Sequence, residues 1–88
     1  MNDAIRYQEH LVYRMYDVDG RLLYVGQTSS MAERLRAHRT ATPWFDEIAC
    51  VTSVAVPDRA SALAEEATTI REERPLYNVH HNPSTAAA

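Results

Sequence analysis

The chain has 88 residues, a size that fits one small domain and leaves no room for a second. Twelve acidic residues against nine arginines, with no lysine, give a formal net charge of −3. This balance argues against a protein that grips nucleic acid by bulk charge, because Lys and Arg drive binding to phosphate backbones. No apolar run reaches the roughly 20 residues of a membrane span, and the single cysteine excludes an internal disulfide. We therefore expect a cytoplasmic protein that makes no contact with a membrane.

The first half of the chain predicts a β-hairpin. Residues 10–16 and 21–25 are rich in β-forming side chains and flank an Asp-Gly pair, which is typical of hairpin turns. The hairpin places Tyr13 and Tyr24 on neighbouring strands. Their separation of eleven positions does not by itself say whether the two phenols share a face of the sheet.

A first helix is predicted over residues 31–40. Its start carries a Ser-x-x-Glu capping pattern that begins at Ser30. Pro43 ends it, and we expect Trp44 and Phe45 to fill the core from a short turn.

The second half predicts a buried strand over residues 48–56, because this stretch is apolar and β-branched. Cys50 lies within it and is interpreted as a small buried hydrophobe. A second helix follows, with Asp58 as its N-cap and Pro75 as its stop. Residues 76–79 then form a short extended segment.

Two acidic neighbours on the second helix are predicted to face different ways. The apolar stripe of this helix consists of Ala60, Leu63, Ala67 and Ile70. Glu66 falls about 60° from Leu63, at the edge of the stripe, whereas Glu65 falls about 160° away, in solvent. A carboxylate at the rim of a buried face is costly unless something pairs with it. Glu66 is therefore either a ligand of a cation or a boundary side chain bent toward water.

The first helix repeats this pattern with basic side chains. Met31, Leu35 and His38 make its inward stripe. Arg34 lies at the edge of the stripe, one turn before His38, while Arg36 points outward. Arg34 suits either a phosphate contact or a solvated charge, and His38 suits either proton transfer or a place at the core boundary.

In order and spacing, this set of residues resembles the GIY-YIG nuclease family. Residues 11–13 (LVY) stand for the family's first tripeptide and residues 24–26 (YVG) for its second. Arg34 follows eight residues after the second tripeptide, and His38 lies one helical turn later. Glu66 and Asn78 take the places of the family's helical glutamate and loop asparagine. One departure is that a leucine replaces the first glycine.

The resemblance covers residues 11–79 and implies an α/β (α+β) fold, in which helices flank a small three-stranded antiparallel sheet. The β-β-α-β-α order of predicted elements permits that fold. We expect a single GIY-YIG-like domain over residues 1–82 and a disordered tail over residues 83–88.

The implied activity is that of a divalent-metal-dependent DNA endonuclease that hydrolyses phosphodiester bonds by a single-metal mechanism. Glu66 would be the protein ligand of Mg²⁺ or Mn²⁺. At least one tyrosine would activate or position the attacking water, and the sequence does not say which. The catalytic residues implied by the resemblance are Tyr13, Tyr24, Arg34, His38, Glu66 and Asn78.

Substrate contacts are assigned to residues near this set, namely Gly26, Thr28, Arg36 and Arg39. The acidic net charge predicts weak binding to DNA by the chain alone, so that a protein partner or a second chain would supply specificity. Two other interpretations stay open: a catalytically inactive module of the same fold that binds nucleic acid or protein, and an enzyme that acts on RNA.

Overall fold

The computed structural model describes residues 9–78. Three strands form one sheet in the order β2-β1-β3, with both pairs antiparallel. In chain order the elements are β1 (His10–Tyr16), β2 (Leu22–Thr28), α1 (Met31–Ala41), a 3₁₀ turn (Phe45–Glu47), β3 (Cys50–Val56) and α2 (Arg59–Glu73). This architecture confirms the predicted fold class. The tail predicted at residues 83–88 and both ends of the predicted domain lie outside the described residues.

The register of the hairpin places both phenols on one face of the sheet. Tyr13 pairs with Gly26, and Met15 pairs with Tyr24. Because side chains alternate along each strand, the residues of these two pairs share a face. The turn contains Gly20 with φ 84°, in the left-handed region that glycine adopts readily. Strand β2 continues to Thr28, beyond its predicted end at residue 25.

The two helices pack against opposite faces of the sheet. On one face, Met31 and Leu35 of α1 contact a buried cluster that includes Tyr13, Met15 and Tyr24. On the other, Ala62 and Ile70 of α2 contact Val12 and Val25. The faces differ because consecutive residues of a strand point to opposite sides. No helix within residues 9–78 is long and apolar enough to cross a lipid bilayer.

Strand β3 is an edge strand, and the prediction that it is buried was wrong. Among the described strands it pairs with β1 alone, and most of its side chains are exposed, including Cys50 and Val54, the latter at 58%. Ile48, which was predicted within the strand, precedes it and packs against the core. Apolar, β-branched composition identified a strand here, but composition does not report how many neighbours a strand has.

The buried face of α2 is turned by one residue from the predicted stripe. Ala62 and Thr69 are buried, whereas Leu63 is 39% exposed. One residue corresponds to about 100° of rotation. Glu66 lies four residues after Ala62 and three before Thr69, so it lies beside the inward face, and it is half-buried. Glu65 is exposed, as predicted.

Candidate active site

Two phenols, one imidazole and one indole form an aromatic cluster on the α1 face of the sheet. The ring centres of Tyr13 and Tyr24 are 6.1 Å apart, and that of His38 lies 6.0 Å from the first and 5.1 Å from the second. Trp44 closes the cluster at 5.5 Å from Tyr24. The hairpin register and the inward stripe of α1 thus bring together three of the predicted catalytic residues.

Gly26 makes room for the first of these phenols. A β-carbon at this position would collide with the hydroxyl and ring of Tyr13 on the paired strand. Since Tyr13 is only 1% exposed, its ring has little space to move away. Gly26 was predicted to contact substrate; the structure gives it a packing role beside the phenol.

His38 is 8% exposed and both of its ring nitrogens have partners. Its Nε2 lies 2.9 Å from the Tyr13 hydroxyl, and its Nδ1 lies 2.7 Å from the Thr42 hydroxyl. Thr42 ends α1, and Pro43 follows it, which disfavours further helix at this point. The imidazole therefore connects the end of α1 to the phenol pair.

Burial keeps both phenols protonated at neutral pH. Desolvation raises the pKa of Tyr13 well above its ordinary value, and it also raises the pKa of Tyr24. The charge of Glu66 raises both values and that of Arg34 lowers them. A phenol here needs a nearby cation before it can give up its proton.

Glu66 is a half-buried carboxylate that lacks a direct partner within residues 9–78. It makes no hydrogen bond and no ion pair there, and desolvation raises its pKa, while the charge of Arg34 lowers it. Such a group favours a cation beside it. The described residues contain no cluster of three or more His, Cys, Asp or Glu side chains that could hold a metal. A single carboxylate suits Mg²⁺, which keeps several waters and binds through one or two carboxylates plus phosphate.

Three arginines of α1, predicted at the site, are all solvent-exposed. They are Arg34, Arg36 and Arg39. Arg34 differs in that its charge acts on both phenols and on Glu66, favouring the ionised form of each. Electrostatics therefore links residues from β1, β2, α1 and α2. An exposed guanidinium beside this group is available to an incoming phosphate.

Asn78 is buried and acts as a clamp on the outer edge of β2. Its Oδ1 accepts a hydrogen bond from the Val25 N–H at 2.7 Å, and its Nδ2 donates to the Val25 carbonyl at 2.9 Å. The backbone N–H of Tyr77 donates to the Leu23 carbonyl at 2.7 Å. The segment after α2 thereby fixes the strand that carries Tyr24.

Thr28 is buried, and its hydroxyl serves the loop that precedes α1. It donates to the Ser30 carbonyl at 3.1 Å and accepts from the Ser30 N–H at 3.0 Å. The Ser30 side chain in turn accepts from the Glu33 N–H at 3.4 Å, which confirms the predicted N-cap. Within the described residues, the Thr28 hydroxyl is thus engaged in holding the helix start.

Sequence reasoning missed two residues that border the phenol pair. Thr42 was treated only as part of a helix-breaking turn, and Trp44 only as a core residue. Trp44 also stacks on Tyr77, with ring centres 4.7 Å apart and an interplanar angle of 11°. The His-x-x-x-Thr spacing before Pro43 was the available indication for Thr42, since residues four apart are neighbours on a helix.

Comparisons with known proteins agree with this geometry. A sequence profile described as the UvrC-like GIY-YIG domain matches residues 10–79. The UvrABC system protein C of Pseudomonas fluorescens (strain Pf0-1) is 39% identical over 75 residues, and the match covers 77% of this chain and 12% of that protein. The protein of the same name from Pseudomonas aeruginosa (strain LESB58) is 38% identical over 76 residues, with the same coverage. The chain thus spans a small fraction of the length of these relatives.

Among solved structures, the chain is similar to the GIY-YIG N-terminal endonuclease domain of UvrC from Thermotoga maritima. That domain is bound to its catalytic divalent cation, magnesium. The TM-score is 0.70 at 26% identity, and the match covers 90% of this chain and 100% of that one. The hairpin with its two tyrosines, the sheet order and the profile match over nearly all described residues lead to one conclusion. The chain belongs to the GIY-YIG family and carries the UvrC-like form of its domain.

Proposed function

We propose that the chain is a divalent-metal-dependent endonuclease domain that hydrolyses DNA phosphodiester bonds with one metal ion. The observation that carries the proposal is Glu66, a half-buried carboxylate without a direct partner in the described chain. It lies within electrostatic reach of Arg34 and of both phenols. The similar domain from Thermotoga maritima binds magnesium, which supports the same ion here.

Glu66 is the side chain that would hold Mg²⁺, or Mn²⁺ in its place. When bound, the ion would polarise the scissile phosphate and offset the negative charge that develops on its oxygens. With Glu66 as its only protein ligand, the remaining ligands are waters and phosphate oxygens, which this ion prefers.

The other residues supply position and charge. The phenols of Tyr13 and Tyr24 would orient the attacking water by hydrogen bonds, and His38 supports the Tyr13 hydroxyl through its Nε2 at 2.9 Å. Arg34 stabilises the additional negative charge of the transition state, since its guanidinium is exposed to substrate. Asn78 holds the backbone of β2 beside Tyr24 and acts by support rather than by contact with the reacting atoms.

Affinity for DNA by this domain alone is expected to be low. The formal net charge is −3, and the three predicted arginines of α1 are exposed. Counterion release from so few cations yields weak binding. A second protein, or another part of a longer polypeptide, would then select the substrate.

The test is a nicking assay on supercoiled plasmid and on branched DNA, with Mg²⁺ or with EDTA. We expect cleavage with Mg²⁺ and no cleavage with EDTA. Glu66→Ala should abolish it, whereas Glu65→Ala, which removes an exposed carboxylate from the same helix, should retain near-normal rates. In a thermal-shift measurement, Mg²⁺ should raise the Tm of wild type and of Glu65→Ala but not that of Glu66→Ala. Equal behaviour of the two variants would overturn the metal assignment.

A further inference from the structure

One residue, Thr42, holds His38 from two directions. The backbone N–H of Thr42 donates to the His38 carbonyl at 2.9 Å where α1 ends, and its hydroxyl lies 2.7 Å from His38 Nδ1. The other ring nitrogen, Nε2, lies 2.9 Å from the Tyr13 hydroxyl. The imidazole is therefore fixed at both nitrogens, between the helix end and the phenol pair.

The local sequence explains why Thr42 reaches the ring. Pro43 disfavours helical backbone at the residue before it, and Thr42 is extended, with φ −103° and ψ 112°. Its hydroxyl is thus released from the helix and lies beside the ring one turn earlier. Thr40 shows the contrast, because it stays helical and its hydroxyl donates to the Ala37 carbonyl at 3.2 Å.

A Thr42 hydroxyl that donates to His38 Nδ1 leaves the hydrogen of the neutral ring on Nε2. One nitrogen of a neutral imidazole donates and the other accepts, and the bond made at one determines the state of the other. Within residues 9–78 the Thr42 hydroxyl has no acceptor other than His38 Nδ1. If it donates there, Nε2 carries the hydrogen and donates to the Tyr13 oxygen.

This direction agrees with the state of the phenols. The Tyr13 oxygen lies 2.9 Å from His38 Nε2, and the Tyr24 ring lies beside it, with ring centres 6.1 Å apart. If His38 donates to Tyr13, the single Tyr13 hydroxyl hydrogen is available to a group other than His38, on the side of Tyr24.

We propose that Thr42 is a positioning residue that donates to His38 Nδ1 and fixes the Nε2–H tautomer, so that hydrogen bonds are donated from Thr42 to His38 and from His38 to Tyr13. Its consequence for cleavage rests on the proposed function. The tautomer itself is a property of the folded protein and does not depend on that function.

Nuclear magnetic resonance of the His38 ring nitrogens tests the tautomer directly. The wild-type protein, at about pH 8, where an ordinary imidazole is neutral, should show a hydrogen on Nε2. Thr42→Ser keeps the hydroxyl and should preserve this pattern, whereas Thr42→Val should give mixed tautomers. Thr40→Val, which removes a hydroxyl from the same helix, should leave the ring unchanged. A hydrogen on Nδ1 in wild type would overturn the proposal, even if Thr42→Val fails to fold.

Single-turnover cleavage provides the second readout. Thr42→Val should slow the chemical step on the order of 10-fold, the lower end of what loss of an orienting partner costs. Thr42→Ser should restore the rate, and Thr40→Val should match wild type. A Thr42→Val variant with wild-type rate and wild-type ring signals contradicts the proposal. Absence of cleavage in wild type would instead contradict the proposed function and leave the tautomer result intact.

Discussion

The phenol of Tyr13 covers Gly26 on the neighbouring strand, at a place where any β-carbon would collide with the ring. The contact fixes the height of the ring above the sheet. It thereby determines where the Tyr13 hydroxyl meets His38. The collision explains why glycine occupies the last position of residues 24–26 in this chain.

Gly26→Ala should displace the Tyr13 ring and destabilise the fold by about 1–3 kcal/mol, the usual cost of overpacking a core. Cleavage should fall as well, because the bond between Tyr13 and His38 would break. Urea unfolding of Gly26→Ala, Tyr13→Leu and the double variant measures the coupling between the two positions. We expect the alanine to cost much less when leucine replaces the ring. Additive effects would show that the steric contact is unimportant.

The free energy of unfolding should fall at alkaline pH, partly because the Tyr13 phenol ionises more readily in the unfolded state than in the folded state. Burial raises the pKa of Tyr13 above that of a free phenol, so the folded state keeps a proton that the unfolded state loses above about pH 10. The unfolded state then binds fewer protons, and stability falls as pH rises through this range. Tyr13→Phe should reduce the slope of unfolding free energy against pH in urea titrations between about pH 9 and 11. An unchanged slope would contradict the assigned shift.

Arg34 and Arg36 separate transition-state stabilisation from bulk charge. Both are exposed, are two residues apart and contribute equally to net charge, but Arg34 acts on Glu66 and on the phenols. Arg34→Ala should cut the single-turnover rate at saturating enzyme by about 10²-fold, the scale of one lost electrostatic donor. Arg36→Ala should mainly weaken binding and reduce the salt slope by about one unit. Similar single-turnover rates in the two variants would show that Arg34, like Arg36, contributes only its charge to binding and does not stabilise the transition state.

Local patterns in the sequence were sufficient to predict the elements and much of the site. The Asp-Gly turn, the Ser30 cap and the Asp58 cap are interactions between near neighbours, so they can be inferred from short segments. The same holds for the inward stripe of α1, which carries His38 to the phenols. Family resemblance then selected Glu66 and Asn78 from distant parts of the chain.

Properties that depend on tertiary arrangement could not be predicted. Whether Tyr13 and Tyr24 share a face depended on the hairpin register, which their spacing leaves open. Cys50 is exposed on β3, which pairs only with β1 among the described strands, and no local pattern reports strand order or which faces are covered. Helix α2 presents Ala62 rather than Leu63 to the sheet, and helical periodicity alone does not report which of two neighbouring stripes packs.

Asn78 offers a test of how the end of α2 supports strand β2. Its amide satisfies both the N–H and the carbonyl of Val25, two buried backbone groups. Asn78→Ala should leave both unpaired, at a cost of about 1–3 kcal/mol for each group.

Asn78→Asp has nearly the same shape, yet it should also be destabilised at neutral pH. An ionised carboxylate still accepts the hydrogen bond from the Val25 N–H. Its second oxygen carries no hydrogen, however, and lies against the Val25 carbonyl, where the wild-type amide donates. Protonation restores a donor, so the folded state raises the pKa of the new Asp, and the deficit relative to wild type should shrink as pH falls. Urea unfolding of wild type and both variants at about pH 7 and pH 4 measures this. Asn78→Ala is the control, since its deficit has no carboxyl group to titrate. An Asn78→Asp variant as stable as wild type at pH 7 would mean that the donated hydrogen bond contributes nothing to holding β2, and the positioning role of Asn78 would then rest on its acceptor alone.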